Sequence, residues 1–437
     1  MTITETTGTT STGTTSTQEA YAQVVDHANR ADPYPYYARL REQPVARLDE
    51  RTFVVTGHQE ILDLIHDPRI SSDPRNLAEG HSIGGHTPAA ETDAEGEPAE
   101  ESPSLLNAFV MLDAPKHDRL RSQTMRHFGP PHHAGYVDAM RGDMARIVND
   151  LIDGFGDARE VDLVEALAYP FPVTMICEVL GVPREDEPRF HAWSEDIIAT
   201  AEATGPEDAA EKRERAGLAT AQLTEYLSAL ADEKTRDPKD DLLSGLVNHD
   251  GPGGRMSRVD VLNTAIMLLI GGHETTVNMI ANGVLTLLRH PEVLERLERE
   301  PEHVARVFEE LLRLEPPAQV TPTRVALDDL VLGGVLIPKG SSIWVMWAAA
   351  NRDPRHFADP DRFDPDREQN DHLGFGGGIH ACFGAPLARL EVQIALVEVF
   401  RRLENPRLVL DPPPYRRNPF LRGPSHLPIA FDGVRPR

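Results

Sequence analysis

The chain has 437 residues, of which 40% are hydrophobic, and a formal net charge of −26 at pH 7. Its length supports a large buried core, while its charge repels nucleic-acid phosphates and anionic membrane surfaces and leaves small molecules or basic protein faces as partners. The two cysteines, Cys177 and Cys382, rule out a disulfide framework and fall short of the usual structural zinc site.

Residues 1–17 are mostly Thr, Ser and Gly, without the basic start or apolar stretch of a signal peptide, and predict a disordered tail with order beginning near Gln18. No stretch reaches the roughly 18 uninterrupted apolar residues of a membrane span, so a cytoplasmic location is expected. Arg51–Thr56 predicts a strand, followed by a helix over Ile61–Ile65. Residues 78–104 carry Gly, Pro, Ala and Glu with no apolar period, which predicts a long acidic loop, either a lid or a disordered insertion. Helical patterns run from Pro115 to Arg313, and Cys177 sits in the apolar run Val173–Leu180, where a free cysteine acts as a small hydrophobe. The clearest helix starts at Ser257, where Asp260 three residues on resembles a capping box, and stops near His290 ahead of Pro291. Short strands are expected over Leu330–Ile337 and Ser342–Met346, then coil from Asp353 to Asp366 and a final helix after Gly384. The prediction is a mainly α protein with a small β-rich part, in one large domain over 18–437 with no internal repeat.

Phe375-Gly-Gly-Gly-Ile-His-Ala-Cys-Phe-Gly384 is the most informative segment. Its glycines let the backbone pass close to a flat surface. Pro386 then starts a helix just after Cys382, and a sulfur there meets unpaired N–H groups and the positive end of the helix dipole. Both favour the thiolate, the form that ligates iron. An inert cysteine in a glycine turn is the plain alternative. A phosphate loop lacks its Lys-Ser/Thr ending here, and a zinc site lacks a second cysteine pair.

The segment resembles the haem-binding signature of the cytochrome P450 family, Phe-Gly-x-Gly-x-His/Arg-x-Cys-x-Gly, at every fixed position: Phe375, Gly376, Gly378, His380, Cys382 and Gly384. The resemblance implies haem b with Cys382 as its axial ligand, Phe375 shielding the sulfur and His380 near a propionate. Glu310-Leu-Leu-Arg313 resembles the family's Glu-x-x-Arg, a pair of helical neighbours, and Arg362 stands where the family's joining arginine is expected. His117 and Arg121, four apart on one helical face, resemble the family's His-x-x-x-Arg and imply propionate contacts, although a solvated basic face has the same pattern. Arg324, just before Val325, resembles another propionate arginine.

Gly271-Gly-His-Glu-Thr-Thr276 breaks local rules in the middle of an apolar helix, with two glycines and a buried acid. A kinked helix with private hydrogen bonds explains this equally well. The segment also resembles the family's Ala/Gly-Gly-x-Asp/Glu-Thr-Thr, where the helix widens over the haem. That implies Thr275 as the hydroxyl bonding bound dioxygen and Glu274 as the acid in the proton path, because O–O cleavage needs two protons delivered to the outer oxygen.

The resemblance spans about Asp32 to Phe431. It implies the P450 fold and a haem-thiolate monooxygenase of the soluble bacterial type, inserting one oxygen atom into a small organic substrate by hydroxylation or epoxidation in secondary metabolism. The expected electron donors are a ferredoxin and its NAD(P)H-dependent reductase. Substrate walls are expected from residues 78–111, 184–215 and 319–323, the helix before Gly271, and Phe420. Oxidative coupling without oxygen insertion, a non-catalytic haem carrier and, remotely, a zinc hydrolase are the other readings.

Overall fold

The computed structural model describes residues 11–78, 105–128, 135–251 and 253–437. Residues 1–10, the start of the expected tail, and 79–104, the expected acidic loop, lie outside the described residues. Helix α1 (Ser11–Val25) packs on α2 (Tyr34–Arg41) through Ala20, Val24, Tyr37 and Leu40. The helix thus begins ahead of Gln18. Ala20 and Val24 are sealed in the core, Thr17 is buried, and a helix nucleated there extends N-terminally at little cost per residue.

Strands β1 (Val45–Arg47) and β2 (Thr52–Val55) form a hairpin ahead of α3 (His58–His66) and β3 (Ile70–Ser71). The helical body follows: α4 (Lys116–Phe128), α5 (Tyr136–Ala139), α6 (Arg141–Asp153), strand β4 (Glu160–Asp162), α7 (Pro170–Leu180), α8 (Glu187–Ile198), α9 (Pro206–Arg236) and α10 (Leu242–Asn248). Cys177 is fully buried in α7, and burial pushes its thiol up, as a small hydrophobe requires.

Helix α11 (Arg258–Arg289) is the spine. Ser257 caps it by accepting from Asp260 N at 3.1 Å, and it ends at His290, before Pro291 opens α12 (Pro291–Arg299). The reciprocal half of a capping box is not made. Asp260 instead meets Lys116 and Arg119, at 3.4 and 3.3 Å. Residues 260–269 and 276–287 of α11 are buried on every side, as expected for an apolar helix in a core. The helix packs on α7 and, after α13 (Val304–Leu314), on the final helix of the chain.

Strands β5 (Thr321–Ala326), β6 (Leu330–Leu332), β7 (Val335–Ile337) and β8 (Ser342–Val345) follow, then α14 (Trp347–Ala350), irregular coil and α15 (Ala385–Arg402). Residues 330–337 are a hairpin turning at Gly333 and Gly334, not one strand, because both glycines take positive φ. The main sheet has the order β1-β2-β8-β5-β3, with β2 and β8 parallel. Thr321 pairs with Val345 and Arg324 with Ile343, so β5 spends one residue more than its partner. That bulge turns two residues of odd spacing to one face, and both line the cavity described below. The mainly α fold with a small β part is as expected.

Candidate active site

The loop before α15 is held by its own backbone: Cys382 N donates to Phe375 O at 2.8 Å. Gly376 and Gly378 have φ of +66° and +64°. A Cβ on Gly378 would stand 2.7 Å from the Ile65 carbonyl, so the loop also presses on α3. Cys382 opens into a cavity deep in the protein. Burial pushes its thiol up, opposed by the Gly384 N–H, by Arg121 and Arg389, and by the Ala385 N–H at the start of α15. These groups favour the thiolate whenever a cation sits on the sulfur.

The cavity has a volume of about 350 Å³. Its floor is Phe375, Cys382 and Leu387, and its opposite wall is α11, with Met267, Leu268, Gly271 and Thr275. Val110 and Thr321 also line it, as expected for their regions, and Ile176 and Val179 of α7 were not anticipated. Two other regions expected as walls do not border it. No residue of 184–215 lines this cavity, and the Phe420 ring packs instead on Trp344, at 6.0 Å.

At one end, cationic and donor groups converge from three segments, α4, β5 and the cysteine loop. Arg121 of α4 donates to Ala381 O at 2.7 Å, and Arg324 is nearly buried in β5. The His117 and His380 rings lie 4.4 Å apart. Burial, then Arg324, His117 and Arg121, push the His380 imidazole down to about 3, and burial pulls Arg324 down to about 10. Buried His117 Nε2 and His380 Nδ1 have no hydrogen-bond partner. Unpartnered donors among crowded cations suit an anionic group. This end therefore fits the two carboxylates of a haem, and the sulfur fits its iron.

Behind the loop, Glu310 and Arg313 are wholly buried. Arg313 directs its five N–H donors at both Glu310 oxygens and at the carbonyls of Asn351, Pro360 and Arg362. The expected joining arginine is corrected. Arg362 is exposed and contributes only its carbonyl, while Arg367 Nε reaches Glu310 Oε1 at 3.4 Å. The turn over Asp359–Arg362 points the Arg362 side chain outward, which spacing alone did not reveal.

On α11 the helix stays α through Gly271–Thr276 rather than widening, and Thr275 Oγ1 donates to Gly271 O at 2.7 Å. Glu274 is buried; its Oε1 accepts from Asn278 Nδ2 at 3.1 Å and lies 3.2 Å from Arg416 Nε. Burial raises its carboxyl, and Arg416 pulls it back. Sequence reasoning missed Arg416, which lies 142 residues downstream of Glu274 with no motif to mark it.

The cytochrome P450 family model matches residues 88–427. The chain belongs to the cytochrome P450 family. It is 38% identical to the cytochrome P450 monooxygenase PikC of Streptomyces venezuelae, over 92% of this chain and 91% of the relative. It is 36% identical to the 6-deoxyerythronolide B hydroxylase of Saccharopolyspora erythraea, over 92% and 96%. The solved structure of PksS, a bacillaene polyketide synthase cytochrome P450 of Bacillus subtilis 168, superposes with a TM-score of 0.82 at 29% identity, over 94% of this chain and 99% of that one. This P450 is a monooxygenase with haem iron ligated by a cysteine thiolate, acting on small molecules with electrons from redox partners. Among the described residues, no helix is long and apolar enough to cross a membrane.

Proposed function

We propose that this P450 hydroxylates or epoxidises an apolar polyketide-type product, with Cys382 as the thiolate ligand of haem b. The observation that carries the reading is the single cavity bringing Cys382, Thr275, Arg324 and His380 together. Its apolar walls, Val110, Ile176, Val179, Met267 and Leu268, suit a hydrocarbon skeleton. The polyketide class is drawn from the 6-deoxyerythronolide B hydroxylase and PksS.

Haem, when bound, supplies dioxygen binding and activation. Arg121, Arg324, His117 and His380 hold its propionates, and Phe375 and Gly376 cover the sulfur. The Glu310–Arg313 pair, joined by Arg367, braces the loop from behind. Thr275 presents a hydroxyl to the oxygen site, and Glu274 brings protons to it. The expected donors are a ferredoxin and its NAD(P)H-dependent reductase, in the cytoplasm.

The test is a screen of polyketide lactones for a high-spin shift of the haem band, followed by product analysis under labelled dioxygen. A spin-shifting ligand converted to a product with one labelled oxygen supports the reading. A converted ligand whose product carries no labelled oxygen overturns it in favour of coupling chemistry.

A further inference from the structure

His58, His356 and Asp371 are brought together from three stretches of chain. His58 opens α3, His356 lies in the coil after α14, and Asp371 lies four residues ahead of Phe375, where the cysteine loop begins. One ring nitrogen of each histidine and a carboxylate oxygen of Asp371 stand within 4.8 Å of one another. The two rings are stacked, with centroids 3.6 Å apart and planes 10° from parallel. None of the three lines the cavity at Cys382.

His58 is the fixed member. Its backbone N–H donates to Oδ2 of buried Asp353 at 3.0 Å, and Phe357 meets its ring edge-on with centroids 5.5 Å apart. His58 Nε2 stands 3.1 Å from the Asp371 carbonyl, and His356 Nε2 stands 2.9 Å from Asp371 Oδ1. A carbonyl only accepts, so the His58 proton lies on Nε2 and Nδ1 keeps its lone pair. The residue is 1% exposed, and among the described residues Nδ1 has no hydrogen-bond partner. Burial pushes this imidazole down; the Asp371 carbonyl opposes that, and the stacked His356 adds to it. A neutral imidazole fixed through one N–H to a carbonyl, with its other nitrogen bare, is the form in which histidine binds a metal ion.

The donor types choose the ion. Mg²⁺ and Ca²⁺ take oxygen ligands, whereas two imidazoles and one carboxylate suit a borderline divalent ion such as Zn²⁺. Tetrahedral Zn²⁺ at about 2.1 Å from each donor sets the donors about 3.4 Å apart. The His356 and Asp371 side chains are 23% and 58% exposed, so they can close that distance on the fixed ring and leave the fourth position to water. The Gln369 amide, 3.5 Å from His356 Nε2, brings a neutral oxygen donor to the same place when it turns over.

We propose that His58, His356 and Asp371 form a Zn²⁺ site that clasps the start of α3 to the coil entering the cysteine loop. The far end of α3 already presses on that loop, where Cβ atoms on Gly377 and Gly378 would come within 2.5 and 2.7 Å of Ile65. An ion at the near end therefore holds both ends of α3 against the segment that carries Cys382. It slows the loss of haem without touching the haem.

The test is a calorimetric titration of the untagged, substrate-free holoenzyme with Zn²⁺, with X-ray absorption at the zinc edge to count imidazole ligands. One equivalent is expected to bind, with two imidazole nitrogens at about 2.0–2.1 Å. His356→Ala and Asp371→Asn, both at partly exposed side chains, are expected to weaken binding by about tenfold or more and to keep the reduced, CO-bound spectrum. His426→Ala, at the separate cluster with Asp162 and Glu165, is expected to leave binding unchanged. Zn²⁺ is expected to slow haem transfer to apomyoglobin by about twofold or more in the wild type and not in His356→Ala. No binding, undiminished binding in His356→Ala, or a zinc edge without imidazole overturns the site. Haem loss that Zn²⁺ leaves unchanged, with the site filled, overturns the clasp.

Discussion

Glu310 and Arg313 meet side by side in the core, Nε to Oε2 at 2.7 Å and Nη2 to Oε1 at 2.8 Å, with neither side chain reaching solvent. Glu310 also accepts from Asp364 N at 2.9 Å, which ties helix α13 to the coil that leads into the cysteine loop. Removing one partner of such a pair leaves a buried charge unmatched, so Arg313→Ala is expected to cost about 3–5 kcal/mol and to impair haem retention. Arg367→Ala is expected to cost less, and exposed Arg362→Ala almost nothing, since its carbonyl survives the change. Thermal melts and haem-to-protein ratios across the three variants check the order.

The two cysteines should separate cleanly. Cys382→Ser is expected to abolish the thiolate spectrum of the reduced, CO-bound protein. Cys177→Ser is expected to keep that spectrum while losing about 1–3 kcal/mol of stability, because its hydroxyl is buried among apolar neighbours.

Gly378 is held at positive φ with the Ile65 carbonyl against it. Gly378→Ala is therefore expected to cost about 1–3 kcal/mol from backbone strain, with an added clash that displaces the loop. A lower melting temperature together with weakened haem binding checks this. A loss of stability with haem binding unchanged contradicts the loop's displacement.

His273 carries a pH dependence. It is buried, both ring nitrogens lack partners, and its ring meets that of Tyr169 edge-on, with centroids 4.4 Å apart. Burial, then His191 and Arg416, push its imidazole down from 6.5 to about 3. The unfolded chain binds the proton first, so this contribution is full above pH 6.5 and is lost as pH falls toward 3. His273→Leu is expected to flatten the acid limb of stability over that window by a few kcal/mol, on the order of what the depressed pKa implies. Urea unfolding at stepped pH measures it.

Thr275→Ala is expected to leave electron consumption in place while coupled product falls by about tenfold or more, the loss typical of a missing proton-transfer group. Product per NAD(P)H, compared with peroxide released, is the measurement.

Much of this protein is local in the chain. Ser257, Pro291 and the apolar run between them delimit α11 because caps and proline act on their own turn. The turn of Phe375 to Gly384 was legible because positive φ, a helix start and a sulfur are properties of one short segment. The family's spacing likewise put Glu310 beside Arg313, since residues three apart share a helix face.

Tertiary structure decided which distant side chains arrive. Arg367 rather than Arg362 reaches Glu310 because a turn in the coil sets the direction of each side chain, and no periodicity encodes that. A one-residue bulge turned Thr321 and Arg324 to the same face. Arg416 meets Glu274 only because the turn near the C-terminus docks on Asn278 and Asn282. The sequence by itself determined the cysteine loop and the helix opposite it, which rest on short-range geometry. The fold decided the cation at Glu274 and the shape of the cavity, because these come from packing between segments far apart in the chain.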